Sequence, residues 1–437
     1  MEAVLWEMLQ AVGRFFLHPA LYLFLFACLW FGISRVKRER RDFHTRINDV
    51  VSDLLSPLGV AFVTGLILTV VFVVVGVTIP FAMFLLMTVV WVFFLPFKNA
   101  RLLSFSFTGS IAYLLTMVFP SSGSGWGWLD QQLTVISAME GIHVAWFLGS
   151  IFFAEALLIL VNGRKGSGPK LEKSKRGKTV GAHEVNRLWL VPSILLLPAG
   201  GLAVSEMGIW PFGQTAIGMS LETAGLMFVP VILGFRAVVR SGYPEDIYRR
   251  LGSKLLIVAS IALITTIAGV FVNVLASVVP LIILVGRELI FFIHHKRESK
   301  SQSMFRSAKE GLVVLGVIPR SVGDEMGIKV GEKVMKVNGQ PVSTQMELYE
   351  ALQKKGAFCK LQVLDEQGEL RFTQSSVYED DHYQLGLQFV PDDDIGNLST
   401  EGLRYTFLLQ QDREKIHQAG TEEHEHETEA AATKERE

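Results

Sequence analysis

The sequence contains few cysteines and few charged residues. Of its 437 residues two are cysteines, Cys28 and Cys359, and 19% carry a charge, which is less than the roughly 25% of an ordinary soluble domain. Cys28 falls in a predicted membrane span and Cys359 in a predicted cytoplasmic strand, so the two cannot form a structural disulfide. Half of the residues are hydrophobic, the mean hydropathy is positive, and the few charges are strongly segregated along the chain.

Motifs for catalysis and for nucleotide binding are absent as well. A zinc-dependent intramembrane protease needs H-E-x-x-H, but the nearest string, HEVNR at 183–187, lacks the second histidine. A serine protease would carry G-x-S-G within a span, whereas SGSG at 122–125 lacks the first glycine and falls in a predicted external loop. No P-loop is present, which argues against ATP-driven transport. We predict that the chain is not an enzyme and expect no cofactor, no metal ion and no nucleic-acid partner.

Long apolar runs predict a membrane domain instead. About 20 apolar residues cross a bilayer as a helix. We therefore predict a polytopic α-helical membrane domain of about eight or nine spans at residues 15–296, after a short interfacial helix at residues 1–14. The candidate spans are 15–34, 57–77, 79–96, 102–119, 135–161, 188–204, 216–239, 255–273 and 274–293.

The distribution of Lys and Arg predicts the orientation of these spans. Loops 35–46 and 162–187 are rich in basic residues, whereas 120–134 and 205–215 contain none. Basic loops of membrane proteins stay in the cytoplasm, and nine spans satisfy this rule when the N-terminus lies outside. Residues beyond 293 are then cytoplasmic. Topology alone explains the charge of 35–46, so a partner-docking role for that loop is the less favoured interpretation.

A separate soluble module is predicted at residues 311–390. Asn338-Gly339 between two apolar strands is a strong hairpin signal. Thr344 and Glu347 have the spacing of a capping box, which predicts a helix that begins beside them. The pattern indicates a small α+β domain that follows the membrane domain.

This module resembles a PDZ domain of the bacterial type. The matching segments, in order, are GLVV at 311–314, MGI at 326–328, VGEKV at 330–334 and VNG at 337–339. Glu332 departs from the usual aspartate, and SVG at 321–323 departs from the usual small-Pro-small step. The resemblance implies a PDZ domain at residues 302–391. Residues 392–437 then add a short helix and an acidic tail that we expect to be disordered.

The resemblance also implies a peptide-binding site. PDZ domains add a peptide as an extra strand at a sheet edge and hold its terminal carboxylate with backbone N–H groups. LGLQF at 385–389 has the required glycine between apolar residues; because it follows the other strands, we interpret the domain as circularly permuted. The alternative is that this segment is only a final core strand. The implied peptide-binding residues are Leu385, Gly386, Leu387, Gln388 and Phe389, with Met346 and Tyr349 lining the side-chain pocket.

Among the ionisable residues inside predicted spans we single out His143, Glu155 and Glu222, with Glu140 nearer a span boundary. Such residues mark functional sites by default, because a charge in hydrocarbon is costly. Glu155 and Glu222 lie on different predicted spans and would line a cavity if those spans were neighbours. Alternatively, they lie near the span ends and contact water.

The whole layout resembles the MinJ family of polytopic PDZ proteins. FFLHP at 15–19, RVKRER at 35–40 and FHTR at 43–46 carry the resemblance, together with the span count and the terminal PDZ domain. It implies a scaffold, multi-pass in the cell membrane and enriched at septum and poles, that helps to position division in Gram-positive rods. The implied partners are DivIVA-like and MinD-like proteins, other division proteins of the membrane, the lipid bilayer and a second copy of the chain.

Two other functions stay open on the sequence alone. A transporter or channel regulated by its PDZ domain would use Glu155 and Glu222 for solute movement. A divergent intramembrane protease would cleave a membrane substrate with residues that match no known motif. Flux or substrate cleavage by the purified chain would distinguish these two from a scaffold.

Overall fold

The structure is a computed structural model, and it describes residues 2–43, 47, 55–118, 126–203, 223–306, 310–353, 358–376 and 385–391. The first part of the chain, up to Lys300, combines helices with a three-stranded antiparallel sheet whose two longest strands form one long β-hairpin. Its helices are α1 (Glu2–Leu17), α2 (Pro19–Phe43), α3 (Leu58–Val75), α4 (Phe81–Phe94), α5 (Phe105–Val118), α6 (Gly127–Ser137), α7 (Gly141–Asn162), α8 (Pro244–Gly269) and α9 (Asn273–Lys300). Its strands are β1 (Gly168–Lys173), β2 (Thr179–Ala203) and β3 (Thr223–Val239).

Five of the described helices are long and apolar enough to cross a membrane: α2, α3, α7, α8 and α9. Two shorter apolar helical stretches, Phe81–Phe97 and Phe105–Val118, coincide with the predicted spans 79–96 and 102–119. The most apolar 18-residue stretch of α7 is 72% buried, against 22–33% in the other four. Helix α7 is therefore the centre of the bundle, and the other four present apolar side chains outward, as lipid-facing helices do.

Two of the predicted helical spans, 188–204 and 216–239, are wrong where the structure describes them. Residues 188–203 and 223–239 belong to β2 and β3, which pair antiparallel with Leu188 opposite Gly234. Pro192 and Pro230 face each other in this ladder. In a helix each proline would remove a hydrogen bond and cost about 3 kcal/mol, whereas each strand of a two-stranded ribbon has an outer edge that tolerates proline.

The outer edges of this hairpin are hydrogen-bonded by side chains of the surrounding helices. A strand edge facing lipid would leave N–H and C=O groups unsatisfied. On the β2 edge the amide of Ile194 donates to Thr69 Oγ1 (2.9 Å). On the β3 edge Arg14 Nη1 donates to the carbonyl of Leu226 (2.7 Å). Both edges thus have partners among the helices, and buried side chains of β2 and β3 belong to the main apolar core, which explains how the hairpin replaces two helices there.

The second part of the chain is a small α+β domain. Its sheet has the order β8-β7-β5-β4-β9, with β6 paired to β5, so the last strand lies beside the first. Asn338 and Gly339 both have positive φ (51° and 87°), which confirms the predicted hairpin turn. The elements are β4 (Leu312–Val317), α10 (Val322–Glu325), β5 (Lys333–Val337), β6 (Gln340–Pro341), α11 (Gln345–Gln353), β7 (Phe358–Leu364), β8 (Leu370–Ser376) and β9 (Leu387–Phe389).

This domain rests on the start of the long hairpin. Phe305, Leu315 and Val390 form a buried apolar cluster, against which Leu171 of β1 packs. The amide of Gly181 in β2 donates to the carbonyl of Phe305 (2.8 Å). Backbone and apolar contacts therefore hold the domain against the first part of the chain.

The N-terminal helix α1 packs against the hairpin. Helix α1 covers the predicted interfacial helix from Glu2 onward and continues to Leu17, and the Phe15 ring stacks on Phe228 of β3, with ring centroids 4.5 Å apart. The interfacial position of residues 1–14 stays a prediction. Glu222 and residues 392–437 lie outside the described residues.

Candidate peptide groove and buried polar residues

Strand β9 lies at one end of the described sheet of the second domain. Leu387 pairs with Val317, and the amide of Ile318 donates to the carbonyl of Gly386 (2.8 Å). This bond joins the two residues next to the pair Val317 and Leu387. In an antiparallel ladder such a pair is not itself hydrogen-bonded, so its N–H and C=O groups point away from the neighbouring strand. The amide of Leu387 therefore points away from β4. This is the orientation that a peptide adding to the sheet edge requires.

Gly386 turns the chain into β9. Its φ of +71° lies in the left-handed region, which residues with a Cβ rarely adopt. A Cβ at this position would also lie 2.2 Å from the side chain of Ser321. The preceding carbonyl, of Leu385, accepts a hydrogen bond from the amide of Gly323 (2.7 Å). Both the positive φ and the lack of room for a Cβ beside Ser321 therefore require glycine at this position.

The side chains of the predicted segment 385–389 divide between core and surface. Leu385, Leu387 and Phe389 are buried in the domain core together with Leu348 of α11, whereas Gln388 is partly exposed. The apolar side chains therefore serve the core, and a bound peptide would meet the backbone and Gln388. The segment can be both a core strand and the strand that a peptide adds to, because its apolar side chains pack in the core while the Leu387 amide points outward. Peptide binding itself stays a prediction.

Helix α11 carries the two residues predicted for the side-chain pocket. Met346 is 40% exposed, and the side chain of Tyr349 lies outside the described residues. The predicted capping box is confirmed, because the Glu347 amide donates to Thr344 Oγ1 (3.2 Å) and the Thr344 amide donates to the Glu347 carboxylate (3.2 Å). The capping box therefore fixes the start of α11, and Met346 lies on the exposed side of this helix.

Glu332 stands where PDZ domains usually have an aspartate. Its carboxylate is buried, accepts a hydrogen bond from the Lys329 amide (3.0 Å) and forms an ion pair with Arg371 (2.8 Å). Arg371 belongs to β8, the edge of the sheet opposite β9. This departure from the PDZ pattern therefore leaves the candidate groove unchanged.

Glu155 forms a buried ion pair that the sequence analysis missed. Arg287 Nη2 of α9 lies 2.6 Å from Glu155 Oε1 of α7, and both side chains are completely buried. The hydroxyls of Ser104 and Ser106 donate to the other carboxylate oxygen. A cation and two hydroxyls thus compensate the charge of Glu155. Arg287 is a charged residue within the apolar run 274–293. This charge was the signal in the sequence from which a buried partner for Glu155 could have been predicted.

His143 supports a turn between two helices. It is buried, and its Nδ1 accepts a hydrogen bond from the amide of Thr78 (3.2 Å), in the connection between α3 and α4. Within the part of the chain that the structure describes, no group of three or more His, Cys, Asp or Glu side chains lies close enough to hold a metal ion.

Comparison with known proteins finds a family match for the second domain and relatives that align with nearly the whole chain. Residues 313–362 match the family described as PDZ domain. The chain is 31% identical over 392 residues to the cell division topological determinant MinJ of Bacillus subtilis (strain 168), covering 89% of this chain and 96% of that protein. It is 23% identical over 401 residues to the probable cell division topological determinant MinJ of Lacticaseibacillus paracasei, covering 90% of this chain and 100% of that protein. These matches span both the helical part and the PDZ domain of this chain.

Proposed function

Because the chain belongs to the MinJ family, we propose that it is a membrane-anchored adaptor that recruits cytosolic proteins to the division site. The observation that carries this proposal is the outward-pointing amide of Leu387 in a PDZ domain that rests on the long hairpin of the apolar first part of the chain. An extended peptide can add to such an edge through main-chain hydrogen bonds. Confinement to a membrane raises the effective concentration of weakly bound partners. By family resemblance these partners are DivIVA-like and MinD-like proteins, met at septum and poles.

The peptide would lie between β9 and α11 of a circularly permuted PDZ domain. The permutation is supported by β9, which comes last in the sequence yet pairs with β4, the first strand of the domain. The terminal carboxylate of the peptide would meet the amides of Leu385, Gly386 and Leu387. Gln388 and Met346, the latter 40% exposed, would contact peptide side chains.

We propose that the PDZ domain faces the cytoplasm. Basic residues from distant segments converge where the domain rests: Arg38 of α2 and Arg236 of β3 both contact Glu184 of β2. Basic ends of membrane helices stay in the cytoplasm. Division partners that lack a membrane span would then reach the groove directly.

We propose binding, rather than catalysis or transport, as the activity of the chain. The strongest candidate for intramembrane chemistry, Glu155, is engaged by Arg287 and by two serine hydroxyls. This arrangement supports a role in holding α7 and α9 together. A transport or protease site would need a reactive group that is left available.

The test is recovery of DivIVA-like and MinD-like proteins on the full-length chain in nanodiscs. Met346→Lys places a charge beside the groove and should reduce recovery of at least one partner about fivefold, which corresponds to ~1 kcal/mol. Phe372→Lys is the matched control, because Phe372 is an exposed apolar residue (72%) on β8, the opposite sheet edge. Deletion from Leu312 onward should abolish that recovery while membrane insertion persists. Undiminished recovery by the deleted chain would overturn the role of the PDZ domain.

A further inference from the structure

A cavity of about 220 Å³ opens beside the basic end of α2. One wall is apolar and includes Cys28, Leu29 and Phe31 of α2 and Leu188 of β2. The charged side chains among the described residues that line it are five cations and one carboxylate: Arg35, Arg38, Lys98, Arg187, Arg236 and Glu184. The cavity is thus amphipathic, and its polar wall carries an excess of positive charge.

Glu184 contacts two of these cations, and Glu39 pairs with Arg35 (2.9 Å), so two carboxylates face five cations and positive charge remains in excess. Glu184 Oε2 lies 2.5 Å from Arg38 Nη1, and Oε1 lies 2.8 Å from Arg236 Nη2. Burial raises the pKa of Glu184, but Arg38, Lys170 and Arg236 together outweigh it and hold the pKa below its ordinary value. Glu184 is therefore ionised and fixes two guanidinium groups. Among the described residues, the buried Nε of Arg38 has no hydrogen-bond acceptor.

The cavity lies where α2 changes from apolar to basic. Residues 19–34 contain no charge, and Arg35 begins a basic run. On the same helix the apolar side chains of Phe26 and Leu29 are exposed (54% and 49%), as expected of a surface that faces lipid tails. A molecule in the cavity could therefore have its polar end among the cations and its apolar part along α2.

We propose that this cavity binds the phosphodiester headgroup of an anionic membrane phospholipid, with the acyl chains along α2. Guanidinium groups donate paired hydrogen bonds that fit phosphate oxygens, and basic pockets between membrane segments suit lipid headgroups. A free phosphate compound shares this chemistry but would leave the apolar wall at Cys28, Leu29 and Phe31 uncovered. A zwitterionic headgroup would bring its own cation into an already cationic site. One bound lipid would join α2 to the hairpin on which the PDZ domain rests.

The experiment uses the full chain in detergent, titrated with phosphatidylglycerol or phosphatidylethanolamine and followed by native mass spectrometry. We expect one retained phosphatidylglycerol and no retained phosphatidylethanolamine. The double variant Arg38→Gln/Lys98→Gln should weaken retention about thirtyfold, since each cation contributes about 1 kcal/mol. The matched control is Lys37→Gln/Arg40→Gln, which removes the same charge from exposed positions outside the cavity and should change retention less than about twofold.

Several results would overturn the proposal. Equal losses in the two double variants would show general charge attraction, and retention of phosphatidylethanolamine would remove the requirement for a net anion. Displacement of the lipid by an equal concentration of inorganic phosphate would identify a site for the free ion. If the double variant fails to fold, Lys98→Gln alone, at an exposed position between helices, should still weaken retention about fivefold, and an unchanged affinity there would equally reject the site.

Discussion

The Nε2 atom of His183 lies 2.7 Å from the carbonyl oxygen of Leu315, and this hydrogen bond joins β2 to the PDZ domain. Because a carbonyl only accepts, Nε2 carries the proton, while Nδ1 faces the hydroxyl of Ser167 (3.4 Å). Burial lowers the pKa of His183 to about 4, against a smaller opposing contribution from the bond to Leu315. His183 is therefore neutral at pH 7 and serves as a donor across the contact between the two parts of the chain.

We predict that the folded chain loses stability as the pH falls from about 6.5 to 4. The exposed imidazole of the unfolded chain binds a proton near pH 6.5, whereas the buried imidazole of His183 binds one only near pH 4. The contribution of His183 is fully present above pH 6.5 and is lost as the pH decreases toward 4, by at most about 3 kcal/mol. Thermal unfolding of the detergent-solubilised chain at pH 7 and pH 4.5 measures the loss.

His183→Gln provides the control for this pH dependence. Glutamine retains an N–H donor for the Leu315 carbonyl but does not titrate in this range. The variant should show a smaller decrease in unfolding midpoint between pH 7 and pH 4.5 than the natural chain. The same decrease in both chains would assign the effect to other titratable groups.

A second prediction concerns the turn at Gly386. Cys359 in β7 is buried, and burial raises the pKa of its thiol to about 12, so it reacts with maleimide only when the domain opens. Gly386→Ala must accommodate a Cβ at φ +71° and 2.2 Å from Ser321. It should destabilise the domain by about 1–3 kcal/mol and accelerate the labelling of Cys359 about 5- to 150-fold.

Gly368→Ala separates the two causes of that effect. Gly368 has a similar φ of +83°, but a Cβ there would meet no atom within 4 Å. It should therefore accelerate labelling less than Gly386→Ala does. Equal acceleration would mean that the backbone angle alone, and not the contact with Ser321, makes glycine necessary at Gly386.

The PDZ domain was more predictable from the sequence than the hairpin beside it, for a physical reason. Its turns and caps depend on neighbours in the chain, as at Asn338-Gly339 and at Thr344 with Glu347. Segments 188–203 and 223–239 are apolar on nearly every side chain, so no periodicity distinguishes strand from helix. Pro192 and Pro230 were local signals against a helix. The hydrogen bonds that make the hairpin tolerable in an apolar core come from α1 and α3, and only the fold reveals them.

The ion pair between Glu155 and Arg287 leads to a third prediction. Glu155→Gln leaves the guanidinium of Arg287 buried without its carboxylate and should destabilise the chain by about 3–5 kcal/mol. The double variant Glu155→Gln/Arg287→Met removes both charges and should recover part of that loss. Thermal unfolding in detergent measures both variants. If Arg287→Met destabilises the chain and the addition of Glu155→Gln recovers no stability, the two charges are not coupled.

The close approach of α3 to the hairpin leads to a fourth prediction, which tests the hairpin directly. A Cβ at Gly65 would lie 2.1 Å from the carbonyl oxygen of Pro192, whereas a Cβ at Gly59 on the same helix would meet nothing within 4 Å. Gly→Ala in a free helix stabilises by roughly 0.5–1 kcal/mol. Gly59→Ala should therefore be neutral or stabilising, and Gly65→Ala should destabilise by about 1–3 kcal/mol, because backbone must move. If residues 188–204 were instead a membrane-spanning helix, this backbone contact would be absent, and equal unfolding midpoints for the two variants would favour that arrangement over the hairpin.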